Sequence, residues 1–104
     1  MHHEEQILKD NTVLHRLEWH VGEHVAFIDY KLVRGLLFLL HTEVPPVIRN
    51  KGVASATVQK AFQYAKDNHY KIVPICSFVQ HFLEKHKEYT PLVASGAERF
   101  IHKT

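Results

Sequence analysis

The sequence predicts an α+β domain whose elements follow the order β-β-β-α-β-α. Three observations indicate this class: a period of two among apolar residues early in the chain, a helical period after residue 52, and a short apolar segment beyond that helix. A strand, a helix and a further strand in this order predict a right-handed crossover between two parallel strands. The length of 104 residues predicts a single domain, residues 1–104, in which the tail 94–104 gives no firm signal.

Three strands are predicted before the first helix. The first runs from Val13 to Val21, where polar and apolar residues alternate, and the second covers Ala26–Leu32. Arg34-Gly35 supplies a turn, so the second and third strands form an antiparallel hairpin. Because Leu36–Leu40 is apolar at every position, we expect this strand to lie inside the sheet with protein covering both of its faces.

The remainder of the chain predicts two helices and one strand. Pro45-Pro46 cannot continue a strand and predicts an extended loop before the first helix. Apolar residues on one helical face predict that this helix runs from Val53 to Asn68. Lys71–Ile75 is typical of a short edge strand, since it contains a proline. Ser77 and Gln80 have the spacing of a capping box, which predicts the start of a second, shorter helix.

Composition and charge exclude several classes of protein. The formal net charge of +2 is far below that of a dedicated nucleic-acid-binding domain, so no nucleic-acid partner is expected. Cys76 is the single cysteine and cannot form an intramolecular disulfide, which favours a cytoplasmic location. The longest apolar run, Leu36–Leu40, is far shorter than the ~20 residues of a membrane helix. We therefore expect no membrane association, and a monomer in solution.

The residues before the first helix suggest an anion site. Arg49-Asn50-Lys51-Gly52 places two cations and a glycine where the free amides and the dipole of a helix N-terminus bind phosphate. Neither of the common glycine-rich nucleotide signatures, G-x-x-x-x-G-K-[ST] or G-x-G-x-x-G, occurs in the chain. An ordinary exposed helix start with solvated cations explains the spacing equally well.

Candidate catalytic residues follow the two strands of the crossover. Cys76 precedes Ser77, the predicted N-cap, and a helix N-terminus favours the nucleophilic thiolate, although a buried cysteine is more often an apolar filler. We expect His41 and Glu43 on opposite faces of the central strand or at its exit, where either side chain can take a proton. The alternative is that His41 and Thr42 only form hydrogen bonds with the loop.

Two further sets of residues are weaker candidates. His20 and His24 are four residues apart, but on a strand and a turn this spacing does not direct two imidazoles toward one metal ion, so no metal site is expected. The hydroxyls of Tyr64, Tyr70 and Tyr89 are candidate acids for a leaving group, and nothing in the sequence selects one of them.

Several motifs of the chain resemble a known family. Arg49-x-x-Gly52-x-Ala54 is similar to the R/Q-x-x-G-x-G/A signature of the GNAT superfamily of acetyltransferases. His41-Thr42-Glu43-Val44-Pro45, Val73-Pro74-x-Cys76-x-Phe78-Val79 and His86-x-Glu88-Tyr89 resemble the pattern of its short, single-domain members. The resemblance covers roughly Ala26 to Val93.

The resemblance implies that acetyl-CoA is the cosubstrate. Its pantetheine arm would run between the two parallel strands, with Cys76 near the thioester. The chain lacks the length for the additional helices that shape the acceptor pocket in larger members, so the acceptor stays open. The residues that the resemblance assigns to coenzyme A are Val44, Arg49, Asn50, Lys51, Gly52, Val53, Ala54 and Ser55.

Two functions are therefore predicted. The first is an acyltransferase that moves an acetyl group from acetyl-CoA to an unidentified amine, either by direct attack of the amine or through an acetylated Cys76. The second is a module that binds or senses coenzyme A with little turnover. Turnover with an amine distinguishes the two.

Overall fold

The structure, a computed structural model, describes residues 8–49 and 52–101, which form one mixed sheet and two α-helices. The strands lie in chain order across the sheet; the first three neighbouring pairs are antiparallel and the last pair is parallel. The strands are β1 (Leu8–Asn11), β2 (Arg16–Val21), β3 (His24–Val33), β4 (Leu36–Glu43) and β5 (Lys71–Pro74), and the helices are α1 (Val53–Asp67) and α2 (Ser77–Lys85). The α+β class, the hairpin and the parallel crossover are confirmed.

The structure adds one strand to the predicted order. β1 pairs with β2 along its whole length, and only one of its four residues, Leu8, is apolar. A mostly polar edge strand has no alternation that a hydrophobicity pattern can detect. The first predicted strand also begins later than expected, at Arg16, because residues 12–15 form the turn between β1 and β2. Val13 lies in that turn and is 84% exposed.

Both helices pack on the same face of the sheet, which we call the helix face. The rings of Phe62 in α1 and Phe82 in α2 meet edge to face with centroids 5.4 Å apart. Fully buried side chains that the sheet contributes to this face include Leu17, Ile28, Leu37, Leu39 and Ile72. The apolar positions predicted for α1 are confirmed at Val58, Ala61, Phe62 and Ala65, all of which are fully buried.

The opposite face, which we call the open face, carries Phe27, Asp29, Lys31, Phe38 and Val73. β4 lies inside the sheet as predicted, between β3 and β5. The expectation that protein covers both of its faces holds only in part, since the open face is covered less completely than the helix face. Phe38 is only half-buried, because both helices pack on the helix face.

Asp10 ties β1 to the rest of the domain. Its carboxylate accepts hydrogen bonds from the hydroxyls of Tyr30 on β3, at 2.5 Å, and Tyr64 on α1, at 2.8 Å. Burial, and then the hydrogen bond to Asp10, raises the pKa of Tyr30 to about 12. The same causes raise the pKa of Tyr64. One carboxylate therefore joins an edge strand, an inner strand and the first helix.

The connecting segments are more ordered than the sequence suggests. The predicted extended loop contains a 3₁₀ turn at Pro46–Ile48, and two more 3₁₀ turns follow α2, at Lys87–Leu92 and Ala97–Phe100. Between those two turns, Val93 forms a parallel bridge with Ile72. The last part of the tail, residues 102–104, lies outside the described residues. Among the helices that the structure describes, none is long and apolar enough to cross a membrane.

Candidate functional site

β4 and β5 separate at their carboxyl ends. Their pairing covers Leu36–Leu39 and Lys71–Pro74 only, while β4 continues to pair with β3 as far as Glu43. Pro74 has no amide hydrogen, and the next two amides, of Ile75 and Cys76, both donate to the carbonyl oxygen of Leu39, at 3.1 and 2.8 Å. The chain leaves the sheet at this point, which opens a gap between the two strands.

A bulge in β4 lies beside this gap. Tyr30 pairs with Leu39 and Asp29 pairs with His41, so Leu40 is an extra residue without a partner in β3. A bulge bends the strand and takes one residue out of the ladder. The bulge therefore bends β4 at the point where its pairing with β5 ends.

The side chains of Thr42 and Cys76 meet across the gap. Thr42 Oγ1 lies 3.4 Å from Cys76 Sγ, and either atom can be the donor. The thiol is buried, since Cys76 is only 8% exposed. The sequence did not predict this contact between residues 34 positions apart. The sequence could have indicated that Thr42 and Cys76 lie near each other, because each comes at the end of one of two neighbouring parallel strands. The carboxyl ends of such strands lie at the same edge of the sheet.

The capping box predicted at Ser77 is wrong. Cys76 is the N-cap of α2, Ser77 is its first residue, and no side chain caps the helix. Gln80 instead donates from Nε2 to the carbonyl oxygens of Pro74, at 2.9 Å, and Ile75, at 3.2 Å. The helix begins one residue earlier than the motif suggests, so the Ser77 hydroxyl is past the capping position. Cys76 is thereby closer to the helix N-terminus than predicted.

His41 and Glu43 form a pair on the open face. His41 Nε2 lies 2.8 Å from Glu43 Oε1, and both side chains are exposed, at 60% and 48%. The expectation that they lie on opposite faces is wrong, because residues two apart in a strand share a face. Their partners in β3, Asp29 and Phe27, also belong to the open face. The structure thus brings the two candidate bases together, whereas Thr42 between them contacts Cys76 rather than the loop.

The loop after β4 is anchored by a second, smaller apolar cluster. Val44, Ile48 and Val53 are buried there together with Ala26. The carbonyl oxygen of Val44 accepts a hydrogen bond from Arg49 Nη2 at 3.1 Å. Val44 is therefore a core residue by its side chain, and Val53 fixes the start of α1 against the end of β4.

Gly52 shapes the N-terminus of α1. It is the N-cap, with φ 71°, in the left-handed region that favours glycine, and no side chain of residues 8–49 or 52–101 caps the helix. Its carbonyl oxygen accepts the first helical hydrogen bond, from Ala56 at 3.1 Å. The three preceding amides, of Val53, Ala54 and Ser55, have no intrahelical acceptor by the geometry of a helix start.

The surroundings of this helix start suit an anion. The first turn of α1 contains no acidic residue, and a Cβ added at Gly52 would have no atom within 4 Å. Ala54 is half-buried and Ser55 is exposed. Of the other predicted loop residues, Arg49 is exposed, and Asn50 and Lys51 lie outside the described residues. The described residues thus leave space beside Gly52, at a helix start whose free amides carry partial positive charge.

Trp19 lies near the start of α1 and was not among the predicted site residues. It packs against the second apolar cluster, and Lys60 Nζ lies 4.8 Å from the centroid of its ring. Burial lowers the pKa of Lys60. The indole Nε1 is buried, with no hydrogen-bond partner among the described residues. The sequence could have indicated the contact between Trp19 and Lys60 only through the position of this tryptophan in β2, on the helix face of the sheet.

Within residues 8–49 and 52–101, no group of three or more His, Cys, Asp or Glu side chains is placed to hold a metal ion. His20, considered above with His24, instead hydrogen-bonds Glu18, with Nε2 and Oε1 3.0 Å apart. The chemical groups that the described residues bring to this region are therefore a buried thiol, a histidine–carboxylate pair and backbone amides.

Comparison with protein families agrees with this arrangement. The family model described as GCN5-related N-acetyl-transferase matches residues 16–92 of the 104-residue chain. The match begins at the first residue of β2 and ends at the last residue of the 3₁₀ turn after α2. It therefore includes the separated strands, the helix start led by Gly52 and Cys76. The chain belongs to the GCN5-related N-acetyltransferase family.

Proposed function

We propose that this protein transfers an acetyl group from acetyl-CoA to an amine. The observation that carries the proposal is the N-terminus of α1, where no described side chain caps the helix and a glycine with φ 71° leaves space for a Cβ. Val44, which follows β4 directly, packs in the same cluster as Val53 at the start of α1. The helix start and the gap between β4 and β5 therefore lie on the same side of the domain.

The residues at the helix start fit a pyrophosphate. The amides of the first turn of α1 would donate to its oxygens, and the absence of an acidic residue in that turn avoids repulsion. Val44 and Val53 have buried side chains, so they would contribute backbone groups only. The proposed coenzyme A residues remain Val44, Arg49, Asn50, Lys51, Gly52, Val53, Ala54 and Ser55.

The His41–Glu43 pair is the proposed general base. With the His41 proton on Nε2 donated to Glu43, the Nδ1 nitrogen is free to take a proton from the attacking amine. The Glu43 carboxylate would then stabilise the imidazolium. The amine nitrogen forms the new bond to the acyl carbon while the carbon–sulfur bond breaks. Bound acetyl-CoA would supply the activated acyl group and the thiolate leaving group.

Cys76 is proposed to line the gap between the strands rather than to accept the acetyl group. Its thiol is buried and already contacts Thr42, and direct attack by an amine needs no second nucleophile. Mixing the protein with acetyl-CoA, quenching rapidly with acid and measuring the mass tests this choice. We expect no acetyl adduct on Cys76 and substantial activity in Cys76→Ser. An adduct that is lost in this variant together with activity would instead establish the covalent route.

The proposed function is tested by binding and by turnover. Millimolar acetyl-CoA should raise the melting temperature, since a ligand that binds only the folded state stabilises by about 2.7 kcal/mol at a hundredfold excess over Kd. Thiol release, followed with a disulfide reagent across a panel of amines, should reveal turnover. A melting shift without any turnover would favour a binding or sensing module. With no melting shift, both functions would be rejected.

Three wider properties belong to the same proposal. We propose that residues 1–104 form one domain, that it acts as a monomer in the cytoplasm, and that it has no nucleic-acid partner. The net charge of +2 and the free thiol of Cys76 support these assignments. Sedimentation at several protein concentrations tests the monomer, and a dimer at micromolar concentration would contradict it.

A further inference from the structure

A groove runs along the open face over β4 and β5. Its volume is about 430 Å³, within the range of small-molecule sites. One wall is the sheet, and the other is the 3₁₀ turn Ala97–Phe100 with the residues before it. The apolar residues that line it include Leu36, Phe38, Val73, Ile75, Ala97 and Phe100.

The charged residues of the groove are all cationic. Lys71 and Arg99 line it, and no aspartate or glutamate does so among the described residues. Lys71 Nζ donates to the carbonyl oxygen of Pro91 at 3.0 Å, and Arg99 Nη1 donates to that of Gly96 at 2.9 Å. These acceptors are neutral, so neither contact is an ion pair, and both side chains have further N–H groups to donate. Glu98, beside Arg99 in the sequence, does not line the groove, and its carboxylate accepts from the Gly96 amide at 2.8 Å.

The groove lies on the same face of the sheet as the His41–Glu43 pair. Ile75, which is 40% exposed, lines it and immediately precedes Cys76. Phe38 lies on the same face as the His41–Glu43 pair, because their partners in β3, Lys31 and Asp29, are two residues apart. The apolar wall thus extends from the amino end of β5 to the place where β4 and β5 separate.

We propose that this groove binds the acceptor, a linear amine whose apolar chain ends in a carboxylate. The inference rests on the proposed function. The carboxylate would pair with Lys71 and Arg99, the chain would cover the apolar wall, and the amine would reach His41. Lys71 and Ile75 are four residues apart on an extended segment, which spans roughly 13 Å. The acceptor must therefore be elongated, which excludes short amino acids.

Binding is tested without turnover. The probe is 8-anilinonaphthalene-1-sulfonate, an apolar anion whose fluorescence rises in an apolar site, and octanoate is the competitor. We expect the wild type to bind the probe and octanoate to displace it. The double variant Lys71→Glu/Arg99→Glu should weaken octanoate binding roughly tenfold or more, because two attractive charges become repulsive. Ser95→Trp should block the groove, since Ser95 lines it and is exposed.

The control is Lys87→Glu, an exposed lysine outside the groove, which should bind octanoate as the wild type does. Circular dichroism spectra that match the wild type establish that each variant is folded. Probe binding that is absent, or that survives both the charge reversal and Ser95→Trp, overturns the proposal. A dimer that Ser95→Trp dissociates would also overturn it, because a second copy would then occupy the groove.

Turnover supplies a second measurement. 8-Aminooctanoate should be acetylated with a higher kcat/KM than octylamine or 4-aminobutyrate, and the charge reversal should remove its advantage over octylamine. An equal preference for all three amines in the wild type contradicts the proposal while leaving acetyl transfer in place. If none is acetylated but octanoate still binds through Lys71 and Arg99, the proposed function fails while the groove remains a site for apolar carboxylates.

Discussion

Replacing Gly52 with valine tests the helix-start site directly. Gly52 has φ 71°, and a Cβ there would point into open space rather than into protein atoms. The substitution therefore causes no clash in the free protein, but it introduces backbone strain. In the liganded protein, the added methyl groups would occupy the space in which a phosphate must approach the amides.

The backbone strain and the loss of ligand binding differ in magnitude and are measured separately. The left-handed conformation costs a residue with a Cβ about 1–2 kcal/mol, which lowers the melting temperature by roughly 4–16 °C in a domain of this size. If the variant also weakens acetyl-CoA binding a hundredfold, the stabilisation at a hundredfold excess over the wild-type Kd falls from about 2.7 to about 0.4 kcal/mol. The loss of the ligand-induced shift is thus separable from the loss of intrinsic stability.

Gly35→Val is the matched control. Gly35 has φ 80°, and its added Cβ would also have no atom within 4 Å, but it lies in the turn at the amino end of β4. Differential scanning fluorimetry with and without acetyl-CoA should show a similar intrinsic destabilisation for both variants and a normal ligand shift for Gly35→Val only. A full ligand shift in Gly52→Val would refute the assignment of the phosphate site to the start of α1.

The remaining predictions concern the Asp10 contacts and the base. Asp10→Ala should lower the free energy of unfolding by about 1–3 kcal/mol, because two tyrosine hydroxyls lose a charged acceptor; urea denaturation measures this, and an unchanged midpoint would contradict it. Because the pKa of Tyr30 is raised to about 12, its contribution to stability is present below about pH 10 and is lost as the pH rises toward 12. The difference in the free energy of unfolding between the wild type and Tyr30→Phe should therefore be smaller at about pH 11 than at about pH 9. His41→Gln should lower kcat/KM for the amine by about a hundredfold without changing the acetyl-CoA melting shift, and unchanged steady-state kinetics would remove His41 from the base role.

The sequence predicts those parts of the fold that depend on local pattern. The prediction of α1 is accurate to one residue, because apolar residues repeat along one face of the helix. The helix ends at Asp67, and the predicted last residue, Asn68, is its C-cap. The position of Gly52 directly before the predicted helix likewise indicates that it shapes the start of the helix. β1 is missed, since its stability depends on Asp10 reaching Tyr30 and Tyr64, which are 20 and 54 residues away in the chain.

The candidate site is predictable in its residue types but not in its contacts. Cys76, His41 and Glu43 stand out because each follows a predicted strand. The contact between Thr42 and Cys76 depends on the parallel register of β4 and β5, which a single sequence does not determine. The groove was missed for a related reason. Lys71 and Arg99 line the same groove only because the chain returns after α2 and Val93 pairs with Ile72.

In the proposed function, the two faces of the sheet have different roles: one buries the core and the other binds the acceptor. On the helix face, α1 and α2 bury the core, so the start of α1 is held rigidly against Val44 at the end of β4. No α-helix among the described residues covers the open face, which leaves the groove accessible to the proposed acceptor. Pro74 is important for both roles, because the hydrogen-bonded pairing of β4 and β5 ends at this residue, two positions before Cys76. A helix added over Phe38 would supply stability at the expense of that access, so we interpret the half-buried apolar wall as the proposed binding surface rather than as part of the core.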